Sequence, residues 1–512
     1  MRSRDTPPLL SFLCGFTSLS LEILWVRLYS FTQNSTPAAF GFVLMAYLFG
    51  IAIGAYAGSR QCRHTPDAAV LWRRSIWALW ISAFLSLLLP AVFAYLHRQG
   101  INNPLLDLVL IACTACVLAY VFPIAHHLGA NSNASKQGQH FARVYTANVA
   151  GAALGPLVTG YVLLHWLTLQ QSFMLMVIVQ CLSAAWFALQ LREPLPRPQL
   201  YGVTGGLIAI ISSSWMLLSP HALITQVAFQ DRSPYRVIEN RHGIITLYDG
   251  GGDDIVYGGN VYDGRTNVDV EHNTNGLHRP LLLAALHPQP ERVLVLGLSI
   301  GSWLALVNSF PEVKRIDVLE INPGYVQAAQ TYPAQANALK DPRVNLIAGD
   351  GRRWLRLHPE RQYDLIIMNT TWHWRSNSSL LLSQEFFLQA QRHMAPGGIL
   401  AFNATGSVDA FFTAASVFPH TYRYDNFVYA SAQDFRPRKS ALEANQAYAS
   451  LKSVDGTPLF TANSPHIERY LKMPFVTTAQ LQSNLPRAPE IVTDHNMLTE
   501  FRYGRTLYPN FP

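Results

Sequence analysis

The sequence predicts a multi-span α-helical membrane domain followed by an α/β domain, with a small β subdomain between them. Three observations support this fold class. Residues 1–220 contain repeated apolar stretches, residues 230–285 alternate apolar and polar residues between glycines, and residues 286–512 begin with buried strands alternating with helical patterns. The strand-like runs "RVLVLG", "RIDVLE", "VNLIAG", "YDLIIM" and "GILAFNA" are typical of a doubly wound parallel sheet.

The apolar stretches of the first part are long enough to cross a membrane, which takes about 20 residues. We place them at 8–30, 37–58, 76–96, 104–125, 143–165, 170–190 and 202–219. The charges support this interpretation. The whole chain has a formal net charge of +7, and residues 1–220 account for all of it. A basic excess confined to the apolar part indicates membrane topology and gives no support for nucleic-acid binding.

The distribution of Lys and Arg also predicts an orientation. These residues favour the N-terminus and the second, fourth and sixth loops, so we expect a cytoplasmic N-terminus. Seven full spans would then place the C-terminal domain outside the cell. We expect instead that residues 202–219 are re-entrant or interfacial, with the C-terminal domain at the cytoplasmic face of a bacterial inner membrane.

A nucleoside-binding pattern occurs in the α/β domain. Gly297 and Gly301 follow the first strand in "VLVLGLSIG", where glycines let the backbone approach a ligand. Glu320 ends the next strand, where an acid can accept hydrogen bonds from both ribose hydroxyls. Asp350, followed by Gly351, ends a third strand and could meet an adenine amino group. The pattern predicts an adenosyl ligand, and we expect no metal.

The chain resembles the spermidine synthases, the polyamine aminopropyltransferases. Residues 235–405 are similar to their small β domain and methyltransferase-type Rossmann-like domain, and "EILWVR", "GIAIGAYAGSR" and "YTANVAGAALG" are similar to the multi-span segment of some bacterial members. The resemblance implies S-adenosylmethionine or its decarboxylated form as co-substrate. It places Gly297, Gly301, Glu320, Asp350 and Gly351 at that donor.

The chain departs from the family where the amine should bind. A polyamine carries several ammonium charges, and the family holds it with carboxylates. The positions of those acids here are occupied by Ile300, Asn369, Trp372, Asn273 and Thr274, and Leu277, His278 and Arg279 stand where the family has Tyr-His-Glu. We therefore expect an acceptor other than ordinary putrescine.

Because Asn369 replaces the family's carboxylate, the sequence does not identify the residue that accepts the proton. The amide of Asn369 can orient a nucleophile but cannot serve as a general base. His373 and His278 are the candidate bases. Arg375 and Arg279 would suit an anionic group, either the carboxylate of intact S-adenosylmethionine or an acidic substrate. Asn369 and Trp372 also have the spacing of an element of amino-group methyltransferases, in which the aromatic ring stacks on the target amine.

These features predict a transferase of alkyl groups that acts on a small-molecule or amine acceptor at the lipid bilayer. Three alternatives remain open: an S-adenosylmethionine-dependent amino-group methyltransferase, a lyase or cyclising enzyme acting on the donor alone, and a non-catalytic nucleoside-sensing transporter. A homodimer is also compatible with the sequence.

Overall fold

The computed structural model describes residues 6–65, 67–130, 137–191, 219–228, 232–369, 372–435, 441–483, 485 and 487–501. The chain divides into two compact units. One comprises residues 1–34 and 38–244, and the other comprises residues 35–37 and 245–512.

The first unit is helical up to Val227. Its elements are α1 (Thr6–Thr32), α2 (Pro37–His64), α3 (Ala68–Arg98), α4 (Pro104–Ala130), α5 (Gln137–Val158), a π-helical turn (Thr159–Leu163), α6 (Leu164–Trp166), α7 (Leu169–Leu189) and α8 (Ala222–Val227). Six helices in the described residues are long and apolar enough to cross a membrane, counting Gly138–Trp166 as one. They coincide with the first six predicted spans. The seventh, 202–219, lies outside the described residues apart from Ser219.

Glycines allow close contact between these helices. A Cβ on Gly50 or Gly54 of α2 would lie 2.2 or 2.0 Å from a carbonyl oxygen of α4. A Cβ on Gly151 of α5 would lie 2.1 Å from the carbonyl oxygen of Phe12 in α1. Small residues at such contacts let membrane helices pack through their backbones.

A small antiparallel sheet precedes the α/β domain, as the alternating pattern predicts. Its strands are β1 (Arg236–Asn240), β2 (Gly243–Tyr248), β3 (Ile255–Gly258) and β4 (Val261–Arg265), in the order β1-β2-β3-β4.

The second sheet has eight strands in the order β12-β10-β11-β9-β8-β5-β6-β7. They are β5 (Arg292–Leu296), β6 (Arg315–Glu320), β7 (Val344–Ala348), β8 (Tyr363–Met368), β9 (Met394–Asn403), β10 (His420–Tyr424), β11 (Phe427–Ser431) and β12 (Val476–Thr477). Strands β5 to β9 pair in parallel, and β9 to β12 pair antiparallel. The chain moves outward from β5 to β7 and returns on the other side at β8. The carboxyl ends of the adjacent strands β5 and β8 therefore form the topological switch point, where such sheets bind ligands.

Helices and apolar side chains cover both faces of this sheet. The helices are α9 (His278–Leu286), α10 (Ser302–Val307), α11 (Pro323–Ala329), α12 (Pro333–Lys340), α13 (Gly351–Leu357), a 3-10 turn (Ser379–Leu381), α14 (Gln384–Arg392), α15 (Val408–Ala415), α16 (Ala441–Ala449), α17 (Pro465–Lys472), α18 (Thr478–Gln482) and α19 (Leu498–Phe501). Val293, Val295 and Ile367 pack in one core cluster, and Leu294, Leu296 and Ile366 pack in the other. Both faces of the central strands are buried, which explains why they appear in the sequence as continuous apolar runs.

Candidate active site

Two loops meet at the switch point between β5 and β8. Gly297 follows β5 with φ +85°, and its N–H donates to the carbonyl of Leu319 at 2.9 Å. A Cβ at this position would lie 3.0 Å from the carbonyl oxygen of Asn369, which follows β8. The N–H of Asn369 donates to the carbonyl of Leu296 at 3.1 Å. The glycine therefore permits both the turn and the close approach of the two loops.

Glu320 is buried at the end of β6, beside the glycine loop. Its carboxylate accepts hydrogen bonds from the N–H groups of Leu298 at 2.8 Å and Asn322 at 2.7 Å. Burial raises the pKa of Glu320 to about 7, and nearby Asp263 adds to this effect while the backbone hydrogen bonds oppose it. The acid is thus held rigidly at the strand end where the sequence places a ribose ligand.

The other predicted nucleoside residues lie at neighbouring strand ends. Asp350 is exposed and caps α13, accepting from the N–H of Arg353 at 2.7 Å. Gly351 packs against β5, since a Cβ there would lie 2.7 Å from Leu296 Cδ2. Gly301 has φ +88° and precedes α10.

A cleft of about 610 Å³, partly open to solvent, lies next to this edge. Its polar lining is largely neutral: Asn275, Asn369, Asn403 and Asn426 contribute amides, and Tyr262, Ser299, Ser302 and Thr405 contribute hydroxyls. The remaining lining consists of Gly264, Leu298, Ile300, Trp303 and Trp372, with one acid, Asp263, and one base, Arg279. We refer to this space as the acceptor cleft.

Asp263 was not among the residues that sequence reasoning selected. Its carboxylate accepts a hydrogen bond from the hydroxyl of Tyr325, and its backbone carbonyl accepts one from Ser299 Oγ at 2.6 Å. Burial raises the pKa of Asp263, although Arg375 and the Tyr325 hydrogen bond oppose the change. An Asp-Gly pair at the end of a strand, in "NVYDG", is the signal that could have identified it.

Arg279 lines the cleft from the first turn of α9. Its guanidinium donates to the side chain of Asn426 at 2.8 Å and to the carbonyls of Gly276 and Asn275 at 2.9 and 3.3 Å. It also lies over the ring of Trp303, 5.2 Å from the centroid. Burial lowers the pKa of Arg279, and Asp425 opposes this shift.

Asn369, Ile300 and Trp372 line the cleft as their sequence positions suggest. The side-chain amide of Asn369 makes no hydrogen bond to another described residue. The side chain of Ile300 is 1% exposed, whereas Trp372 is 37% exposed and stacks on Trp374.

Among the described residues, the cleft lining does not include the two candidate histidines. His373 Nδ1 lies 2.8 Å from Thr405 Oγ1, and burial lowers the pKa of His373 to about 4. His278 Nδ1 lies 2.7 Å from Asn273 Nδ2, and its Nε2 is 3.4 Å from Asp425 Oδ2.

Three further residues selected from the sequence do not line the cleft. Arg375 influences the ionisation of Asp263 but is not a lining residue. Asn273 accepts from the N–H of Leu277 at 2.6 Å, and Thr274 donates to Asp253 at 2.6 Å. Neither Asn273 nor Thr274 lines the cleft. These two residues, which stand where the family has acids, stabilise a loop through their hydrogen bonds.

Comparison with known proteins finds similarity to spermidine synthases and polyamine aminopropyltransferases. A family model described as "Spermine/spermidine synthase domain" matches residues 278–410, which contain the nucleoside positions and Asn369. The chain is 27% identical over 423 residues to "Polyamine aminopropyltransferase 2" of Streptomyces coelicolor, covering 78% of this chain and 73% of that protein. It is 25% identical over 303 residues to "Polyamine aminopropyltransferase" of Corynebacterium efficiens, covering 56% of each.

A solved structure is also similar. It is described as "Crystal Structure of Spermidine Synthase in Complex with Transition State Analogue AdoDATO", and it shares 16% identity with this chain. The similarity covers 47% of this chain and 85% of that one, with a TM-score of 0.38.

Proposed function

We propose that this chain, which belongs to the spermidine synthase-like family, transfers an alkyl group from an adenosyl sulfonium donor to an acceptor other than ordinary putrescine. The main support is a difference in charge between the two ends of the site. Glu320 is a buried acid at the nucleoside end, whereas the acceptor cleft is lined mainly by amides and hydroxyls. Aminopropyltransferase-like activity is the reaction that the family membership implies.

The nucleoside end would hold the donor. Glu320 would accept hydrogen bonds from the ribose hydroxyls, and Asp350 would face the adenine amino group. Gly297, Gly301 and Gly351 would let the backbone approach the ligand. The co-substrate of the family is decarboxylated S-adenosylmethionine, and the same nucleoside contacts would serve the intact form.

The cleft chemistry disfavours a diamine. Ordinary aliphatic amines are protonated at neutral pH, so putrescine carries two positive charges. The described lining offers one acid, Asp263, which cannot balance two positive charges, and it also carries the positively charged Arg279. Each missing charge-assisted hydrogen bond costs about 1.5–3 kcal/mol, so losing several of them weakens diamine binding by orders of magnitude.

The reaction needs one proton acceptor, and Asp263 is the best placed. The acceptor's lone pair would attack the donor carbon bonded to sulfur, the C–S bond would break, and its electron pair would neutralise the sulfonium. The proton released by the acceptor would pass to the Asp263 carboxylate, whose raised pKa makes it a stronger base. Asn369 would orient the acceptor by accepting a hydrogen bond at its amide oxygen.

His373 and His278 are the alternative proton acceptors. His373 contacts Thr405, which lines the cleft. His278 contacts Asp425, whose chain neighbour Asn426 lines the cleft. Arg375 and Trp372 would contribute to substrate binding, Arg375 through its charge near Asp263 and Trp372 through its ring in the cleft.

Methyl transfer to an amino group is a second candidate. The observation that favours it is that Asn369 and Trp372 line the same cleft, so an amide oxygen and an aromatic ring are both available to one acceptor amine. Methyl transfer would release S-adenosylhomocysteine, whereas aminopropyl transfer would release methylthioadenosine.

Calorimetry and product analysis would test the proposal. We expect the purified full-length protein to bind methylthioadenosine and at least one of the two donors, and we expect mass spectrometry of reactions with candidate acceptors to identify the released nucleoside. Glu320→Gln should weaken binding, and Glu312→Gln, at an exposed position outside the cleft lining, is the matched control. Failure to bind any of the three nucleosides at millimolar concentration would refute the donor site.

The membrane placement is part of the proposal. The six apolar helices support a multi-pass membrane protein, and we propose the bacterial inner membrane with the α/β domain in the cytoplasm. Alkaline phosphatase fused after residue 230 should be inactive in cells, while a green fluorescent protein fusion at the same position should fluoresce. Phosphatase activity would instead place the domain outside.

A further inference from the structure

We infer that Arg279 makes the acceptor cleft a receptor for a carboxylate, so that one of the two reactants carries a carboxylate group. That reactant is either an intact amino-acid donor or an acidic acceptor. This inference rests on the proposed function and names the class of ligand that the same site accepts.

The guanidinium of Arg279 is fixed in place by neutral groups. Three hydrogen bonds hold it, to the Asn426 side chain and to the carbonyls of Asn275 and Gly276. The rings of Trp303 and Phe427 lie 5.2 and 5.8 Å from its central carbon. These contacts orient the cation without neutralising it. A guanidinium has five N–H donors, so these three bonds leave two for a ligand.

The charge of Arg279 is not paired within the described part of the chain. The charge of Asp425 raises the pKa of Arg279 from a distance, without an ion pair between the two residues. The described ion pair of Asp425 is with His278 at 3.4 Å. A cation held at the wall of a cleft without an ion-pair partner costs free energy unless a ligand supplies the counter-charge. Planar guanidinium groups match carboxylates particularly well because two parallel N–H bonds can form.

The rest of the cleft wall tolerates a carboxylate. Ile300 supplies an apolar surface in the glycine loop, and the amide of Asn369 can donate as well as accept hydrogen bonds. Asp263 is the lone acid among the described lining residues. Decarboxylated donors and diamines would both add positive charge near Arg279, whereas a carboxylate would pair with it.

Paired ligands with and without a carboxylate would test this inference. S-adenosylhomocysteine and its decarboxylated analogue form the donor pair, and methylthioadenosine reports the nucleoside end alone. If the donor supplies the carboxylate, the wild type should bind S-adenosylhomocysteine at least about tenfold more tightly than the analogue, the difference expected for one charge-assisted contact. If the acceptor supplies it, both nucleosides should bind equally, and γ-aminobutyrate should bind the methylthioadenosine complex more tightly than putrescine.

Two variants separate charge recognition from structural support. Arg279→Gln removes the cation, and Asn426→Asp keeps Arg279 while giving it an isosteric anionic partner. Both should reduce the carboxylate preference to within about threefold while methylthioadenosine affinity stays unchanged. Asn496→Asp, at an exposed position, controls for the added charge.

Opposite preferences would overturn the inference. It fails if the wild type prefers neither S-adenosylhomocysteine over its decarboxylated analogue nor γ-aminobutyrate over putrescine, or if Asn426→Asp leaves the carboxylate preference intact. A wild type that binds none of the nucleosides, methylthioadenosine included, would refute the proposed function as well.

Discussion

The nucleoside end and the acceptor cleft lie at the same edge of one sheet but differ in chemistry. At the nucleoside end, Glu320 ends β6, Asp350 follows the neighbouring strand β7, and Gly297 lets two loops approach closely. In the cleft, an amide, an isoleucine and a tryptophan occupy positions where the spermidine synthase pattern has acids. The positively charged Arg279 stands where that pattern has a glutamate.

Under the proposed function, this difference would make recognition of the two reactants separable. The nucleoside contacts would come from strand ends whose positions depend on the sheet itself. The cleft contacts come from loops and from the β4 edge, where side chains can change without altering the core. Such an arrangement would let a protein keep the donor chemistry of its family while changing the charge of the acceptor that it binds.

The largest expected effect is the loss of the proton acceptor. Asp263→Asn should lower turnover by about 10²–10⁴-fold, the usual contribution of a general base, and should leave methylthioadenosine binding unchanged. Single-turnover kinetics with a saturating donor would measure it. Asp254→Asn is the matched control, because Asp254 also accepts a tyrosine hydroxyl hydrogen bond, from Tyr332 at 2.6 Å, and does not line the cleft. Equal losses in both variants would mean that Asp263 acts only through folding.

The next effect concerns the nucleoside end. Glu320→Gln should weaken binding of methylthioadenosine and of the donor by about 1–3 kcal/mol each, because one charge-assisted hydrogen bond is lost. Calorimetry would measure both affinities. A loss confined to one nucleoside would contradict the assignment of Glu320 to the ribose that they share.

A smaller effect should appear in the pH dependence of nucleoside binding. The pKa of Glu320 is raised to about 7, so its carboxyl is largely protonated below that pH and ionised above it. The ionised form is the better hydrogen-bond acceptor for ribose hydroxyls. Methylthioadenosine affinity should therefore rise by about tenfold between pH 6 and pH 8, and Glu320→Gln should remove the dependence. Affinity that falls over this range would contradict the assignment.

The smallest effect distinguishes Asp263 from His373 as the proton acceptor. His373 is buried with a pKa of about 4 and contacts Thr405, so we expect His373→Ala to change turnover by only a few-fold through a shift of Thr405. Steady-state kinetics would measure it beside Asp263→Asn. Loss of turnover comparable to that of Asp263→Asn, with donor binding intact, would transfer the role of base to His373.

The strand-end residues could be predicted from sequence because their signals are local. Gly297 follows and Glu320 ends a recognisable apolar strand, and the topology brings those strand ends together. Asp263 and Asn426 could not be placed in the same way. Asp263 contacts Ser299 across 36 residues, and Asn426 contacts Arg279 across 147.

The structure of the C-terminal part also could not be predicted from the sequence. Strands β10 to β12 are short and extend the sheet in the antiparallel direction, so they do not continue the alternating pattern of the parallel strands. Glu500 accepts hydrogen bonds from the N–H groups of Asn377 and Ser379, at 2.8 and 2.9 Å, and so supports the loop that begins at Asn369. Contacts between residues more than one hundred positions apart leave no periodic signal in a single sequence.

The most direct test of the altered acceptor is an assay with purified protein, decarboxylated S-adenosylmethionine and putrescine. The protein should bind methylthioadenosine in the same preparation, which shows that the nucleoside end is intact, and should form little spermidine. Robust spermidine formation by the wild type would show that the cleft accepts a diamine, and the claim of a changed acceptor would then be wrong.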